Sequence, residues 1–177
     1  MKDFLKKIKL IDHVIFELNC TKSDFIKKFN QNVEYSNLNF TPFESFEAFS
    51  SSRFEYKGNI NSQRFQIRKK RKLFDGQQTF ATATGSFVEN IDQLIIKAEI
   101  NSFRKQMWFF LAFIFFFYSV FIIGFIFANP NETKFFIIPF ILLHASLIIG
   151  IPYFMMRRSI KRMSYNLERE FHYWVTK

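Results

Sequence analysis

The stretches MWFFLAFIFFFYSVFIIGFIFA, Met107 to Ala128, and FFIIPFILLHASLIIGIPYFMM, Phe135 to Met156, decide how this chain is organised. Each runs for 22 residues without an Asp, Glu, Lys or Arg. A helix of that length rises about 33 Å, enough to cross a hydrocarbon layer of about 30 Å. Only Asn129 to Lys134 lie between them. The pattern predicts a transmembrane hairpin joined to a soluble N-terminal domain.

Composition agrees with that division. The chain has 177 residues, 49% of them hydrophobic, yet its mean hydropathy is close to zero. Residues 1–106 carry 18 basic and 12 acidic side chains, whereas the two stretches carry none. That segment is long enough for one small domain with its own core and too short for two. Three parts follow: an α+β cytoplasmic domain over 1–103, the hairpin over 104–156, and a basic amphipathic C-terminal helix over 157–177.

Basic residues near the ends of spans favour the cytoplasmic side. Arg104 and Lys105 precede the first span; Arg157, Arg158, Lys161 and Arg162 follow the second; the connecting loop holds only Lys134, offset by Glu132. Both termini are therefore expected in the cytoplasm, with the short loop facing outward. Trp108 and Tyr153 fit the interfacial aromatic belt. The opening MKDFLKKIKL has the charge of a signal peptide, but Asp12, His13 and Glu17 interrupt the apolar run that would follow. Cys20 stands alone, so it cannot form an intramolecular disulfide or a Cys-rich metal site, and it reads as a small core residue.

Folding the hairpin about its loop sets His144 opposite Ser119. His144 is the one potentially charged group at mid-depth, and intramembrane ionisable residues are functional candidates. A proton relay needs a second carboxylate or His, which the two stretches lack. A neutral His144 bonded to Ser119 or Tyr118 acts instead as glue between helices; in a larger complex it could bind a neighbouring subunit. Pro139 and Pro152 are positions where the second helix could bend.

In the N-terminal domain, Val14, Phe16, Leu18 and Cys20 alternate with Glu17 and Asn19, which predicts a strand. Thr21 with Asp24 three positions on resembles a capping box for a helix through about Asn32. Phe43, Phe46 and Phe49 recur every third residue in Val33 to Ser52 and read as short helical turns. Alternation then predicts strands through Phe54 to Ile60, Phe65 to Ile67, Phe80 to Phe87 and Leu94 to Ile100, with turns at Asn61–Gln63, Asp75-Gly76 and Glu89–Asp92. The order predicts an α+β fold with an antiparallel meander. The 28 Phe residues serve either as apolar bulk or as the lining of a ligand pocket.

The densest charge run is Arg68, Lys69, Lys70, Arg71 and Lys72. It reads as a solvated or aggregation-protected strand edge, as a contact for anionic lipid headgroups, or as a surface for another macromolecule; a membrane tether makes the leaflet a nearer partner than nucleic acid. In the tail, Ile160, Met163, Leu167, Phe171 and Trp174 form a helical apolar stripe. That stripe either lies on the inner leaflet or extends the second span and packs on the soluble domain or a partner.

Enzyme signatures are missing: the chain has no GxGxxG, Walker loop, HExxH, GxSxG or CxxC. Glu44 and Glu47 are the only close carboxylates on a plausible helical face. No cofactor, metal site or catalytic residue is expected. The passages FEYKGNINSQRFQIRKK, Phe54 to Lys70, and ATGSFVENIDQLIIKAEI, Ala83 to Ile100, resemble uncharacterised small bacterial membrane proteins with a sheet-rich cytoplasmic domain before a transmembrane hairpin. The resemblance implies an α+β domain and a bacterial source, and it carries no functional residue. The expectation is a non-enzymatic accessory or scaffolding subunit that contacts anionic lipid headgroups and either a larger complex or its own copies. The alternative is a membrane-anchored module that binds a lipid or another apolar ligand.

Overall fold

A computed structural model describes residues 2–38, 53–70, 80–90, 93–104, 106–128 and 134–177. In chain order the elements are α1 (Lys2–Lys7), β1 (Ile11–Leu18), α2 (Lys22–Asn32), β2 (Val33–Tyr35), β3 (Tyr56–Ile60), β4 (Arg64–Lys69), β5 (Thr82–Asn90), β6 (Gln93–Asn101), α3 (Gln106–Ala128) and α4 (Lys134–Thr176). Two compact units emerge: Met1–Ser102 with Met156–Lys177, and Phe103–Met155.

The first unit is α+β, built on a six-stranded mixed sheet in the order β1-β6-β5-β4-β3-β2. Strands β3 to β6 form the expected antiparallel meander, and β1 pairs antiparallel with β6 from Ile11↔Asn101 to Leu18↔Leu94. Because side chains alternate between faces, this register places Phe16, Ile96 and Phe87 in one row. Val14, Ala98, Gly85, Phe65 and Ile60 form the next. Both rows face the core. Thr21 caps α2 as its spacing predicts, its hydroxyl oxygen accepting the Asp24 N–H at 3.2 Å.

Two helical surfaces cover that sheet face. Helix α2 contributes Phe25 and Phe29. The segment of α4 beyond Met156 contributes Ile160, Met163, Leu167, Phe171 and Trp174, all of them buried. Phe171 is the hub. Its ring meets Phe25 edge-on at 5.1 Å between centroids, Phe16 at 5.4 Å and Phe65 at 5.8 Å, and it touches Trp174 at 5.3 Å. Edge-to-face geometry at these separations is favourable beyond the area it buries.

The structure departs from the sequence expectation at the tail and adds elements that the sequence reading did not assign. The tail over 157–177 is not a separate helix. It continues α4 and belongs to the sheet unit, because its stripe has a matching apolar sheet face to cover. Val33–Tyr35, a segment given no strand in the sequence reading, forms β2, parallel to β3. The basic start folds into α1, closed by Lys9 in a left-handed conformation (φ 59°). Pro139 and Pro152 both lie inside α4. The expected turns at Phe43–Phe49 and Asp75-Gly76 lie outside the described residues.

One glycine is required by close approach. A Cβ on Gly58 would lie 2.0 Å from the Gln66 carbonyl oxygen across β3 and β4, and backbone cannot yield as a side chain can. Gly58→Ala is expected to destabilise the sheet unit by about 3 kcal/mol. Phe171→Ala should cost about 3–5 kcal/mol, while Glu168→Ala on the exposed side of the same helix stays within about 0.5 kcal/mol. Denaturant titration of the detergent-solubilised chain, followed through Trp174 fluorescence, checks all three.

Candidate functional site

Helix α3 and the apolar part of α4 leave most of their large side chains uncovered. Phe115 is 77% exposed, Phe127 82% and Phe140 69%. Both helices are long and apolar enough to cross a membrane. Among the described residues a polar contact stands between them: the Tyr118 hydroxyl lies 2.6 Å from His144 Nδ1, with ring centroids 6.1 Å apart.

Of the two partners foreseen for His144, the structure selects Tyr118. The Ser119 hydroxyl instead donates to the Phe115 carbonyl of its own helix at 2.8 Å. Such a back-bond to the preceding turn satisfies a hydroxyl locally and takes it out of competition. The longer phenol then reaches across where a serine would not. Neither apolar stretch holds a carboxylate or a second His beside this pair. A bond of this kind can fix two helices in register.

The sheet face opposite the core carries a different chemistry. Register aligns His13, Glu99, Thr84, Gln66 and Asn59 in one row, and Ile15, Lys97, Ser86 and Arg64 in the next. Glu99 accepts from Lys2 Nζ at 3.0 Å and lies 3.9 Å from His13 Nε2. A shallow depression of about 410 Å³ opens here, bordered by Arg64, Ser86, Lys97 and Glu99. Among the described residues, neither Thr84 nor Ser86 is hydrogen-bonded to His13, so the row offers charge and hydrogen bonding without an activated nucleophile. In the sequence His13 stands out only as a break in the apolar run after the basic start. The signal available was the alternation of Thr82, Thr84 and Ser86 with apolar neighbours, which marks a polar face but does not say which strands line up beside it.

The basic residues divide. Arg68 and Lys70 are buried, at 2% and 7% exposure, and Lys70 donates to the Glu34 carboxylate. The cluster is therefore not a uniformly exposed lipid contact: two of its members are taken up by the sheet unit itself. Lys69 is half-buried in β4, whereas Arg71 and Lys72 lie outside the described residues, as does Lys105. Arg104 is half-buried. On α4, Arg158 and Lys161 are exposed, and Arg157 and Arg162 are half-buried.

Burial pushes the Cys20 thiol up from its ordinary range, and the nearby Asp24 carboxylate adds to that, so the nucleophilic thiolate is disfavoured. Burial likewise holds the Tyr56 phenol well above its usual range, with Glu170 and Glu55 reinforcing the shift. Among the described residues no group of three His, Cys, Asp or Glu side chains is placed to hold a metal ion. No family model, curated protein or solved structure matches the chain.

The Tyr118–His144 bond gives a direct measurement. Tyr118→Phe and His144→Leu should each weaken the pairing of α3 with α4 by about 0.6–2 kcal/mol, and the double variant should cost little more than either alone. Reversible unfolding in mixed micelles, read as a double-mutant cycle, reports the coupling.

Proposed function

We propose that this chain is a non-enzymatic accessory or scaffolding subunit of a bacterial membrane protein complex, anchored by a hairpin of α3 and the apolar part of α4. The observation that carries this reading is the uncovered apolar surface of those helices. Patches of that extent do not persist in water and mark contact with lipid or another protein. A helix satisfies most of its backbone groups internally, as the hydrocarbon layer requires, although Pro139 and Pro152 in α4 have no N–H to donate.

The charge flanks support an inner-membrane, multi-pass topology with both termini in the cytoplasm. Arg104, Lys105, Arg157, Arg158, Lys161 and Arg162 border the cytoplasmic ends, while Lys134 alone borders the other. The Tyr118–His144 pair supports a registered hairpin, and the polar sheet face gives a cytoplasmic partner a surface with charges of both signs.

The alternative, a carrier or sensor of an apolar ligand, draws less support. It needs the Phe-rich interior to be hollow. Instead Phe16, Phe25, Phe29, Phe65 and Phe171 pack against one another, and Phe25 and Phe65 also meet Phe87. The rings that would line a cavity are spent on mutual contact.

Three measurements on native membranes test the proposal together. The chain should remain in the pellet after alkaline carbonate washing, a tag at Asn131 should be reached only from outside the cell, and chemical cross-linking should join the chain to a larger membrane protein. Release by carbonate removes the anchor. A chain recovered always as an isolated monomer, with no cross-linked partner, removes the scaffold.

A further inference from the structure

The anchor and the polar face leave one feature unexplained. A concave site of about 420 Å³ on the sheet unit is lined by Lys6, Lys9, Arg157 and Lys161, with Asp12 as its one carboxylate. The four cations come from two places far apart in sequence, the end of α1 and α4 just past its apolar stretch. Arg157 and Lys161 are four residues apart in α4 and so share one side of the helix. Ile11 and Ile160, both buried, complete the lining with apolar surface.

None of the four cationic side chains forms an ion pair among the described residues. Asp12 is one carboxylate against four cations, and its Oδ1 also accepts the His13 N–H at 2.9 Å. Lysines near a helix C-terminus commonly answer the helix dipole, and Lys6 alone would need no other reason. Arg157 and Lys161 lie in the middle of a 43-residue helix, where there is no dipole end to answer. Lys9 sits where the chain leaves α1 in a left-handed conformation that glycine usually fills. The turn is held by Lys9 N–H to the Lys6 carbonyl at 2.9 Å and Leu10 N–H to the Leu5 carbonyl at 2.8 Å. A glycine would relieve the backbone there and would remove a cation from the site.

From this juxtaposition we infer that Lys6, Lys9, Arg157 and Lys161 form a binding site for a phosphate-bearing anion. Four positive donors around a concavity suit an oxyanion whose charge is spread over several oxygens, with the Arg157 guanidinium able to engage two of them at once. The same chemistry is offered by the phosphodiester of an acidic lipid and by a free phosphate. The lipid source rests on the membrane reading proposed above; the free-phosphate source does not.

The test uses the full chain in a neutral detergent, titrated with phosphatidylglycerol, with phosphatidylcholine and with inorganic phosphate, bound species being resolved by native mass spectrometry. Phosphatidylglycerol should bind in preference to phosphatidylcholine. The pairs Lys6→Gln/Lys9→Gln and Arg157→Gln/Lys161→Gln should each weaken it by roughly 30-fold. Lys22→Gln/Lys27→Gln on α2, outside the site, should leave binding unchanged, and circular dichroism should match the parent for every variant. Inorganic phosphate that binds and is lost in both site variants, without retention of phosphatidylglycerol, assigns the site to a soluble phosphate. Equal binding of every anion by parent and site variants overturns the inference, and so does equal weakening by the α2 pair. Carbonate extraction of the same chain reads the membrane proposal separately, so either can fail alone.

Discussion

The sheet unit depends on apolar surface supplied by the last residues of the chain. Strands β4, β5 and β6 present Phe65, Ile67, Ala83, Leu94, Ile96 and Ile100 on one face, all of them almost wholly removed from solvent. Helix α2 covers part of that face with Phe25 and Phe29. The rest is closed by Ile160, Met163, Leu167, Phe171 and Trp174 of α4. Burying a large apolar side chain contributes about 1.5–3 kcal/mol, so five such residues at one helix face are comparable with the whole net stability of a small domain. Synthesis of residues 1–102 alone leaves the core unfinished. The fold closes only after both apolar helices have been made.

That dependence explains why the tail admitted two readings. A stripe at three- and four-residue spacing with Arg158, Lys161 and Arg169 around it has the signature of a helix lying on a leaflet and of a helix lying on a sheet. Periodicity reports that one side is apolar and is silent on what covers it. The competing evidence was non-local: an uncovered apolar face on strands some hundred residues earlier, visible only once the strands are aligned. The same blindness applies to the basic run. Arg68 and Lys70 are charged in any local window, but their burial and the pairing of Lys70 with Glu34 bring together residues from different strands. A buried charge is tolerated when it is partnered, and sequence does not display the partner.

Local signals read more faithfully. Thr21 and Asp24 cap α2 as their spacing requires, because a cap is settled within four residues. Strict alternation located β1, β3, β4, β5 and β6, since period two is imposed by the pleat itself. It missed β2, three residues long, whose existence depends on its parallel partner β3. It also missed α1, a six-residue helix whose stability comes from burying Leu5 and from the turn through Lys9. Helices that short owe more to tertiary packing than to propensity. At the candidate site, His144 was legible as the one ionisable group at mid-depth. The choice of Tyr118 over Ser119 was not, because it turns on a serine satisfying itself against Phe115.

Helix α4 carries two environments in one continuous element, and the change between them can be located. Up to Met156 the apolar residues lie all round the helix: Phe140, Leu142, Leu143, Leu147, Ile149, Ile151 and Phe154 are exposed on every side. A helix apolar on all sides has no face suited to water. From Arg157 onward the pattern becomes one-sided, with Lys161, Tyr165, Glu168 and Arg169 exposed between the buried positions. Arg157 marks the switch. A residue at such a boundary serves its helix with the aliphatic stem and reserves the guanidinium for whatever is polar beside it. In the proposed phosphate site that guanidinium joins Lys6, Lys9 and Lys161, so the cationic lining draws on the residue at which α4 turns from apolar on all sides to apolar on one.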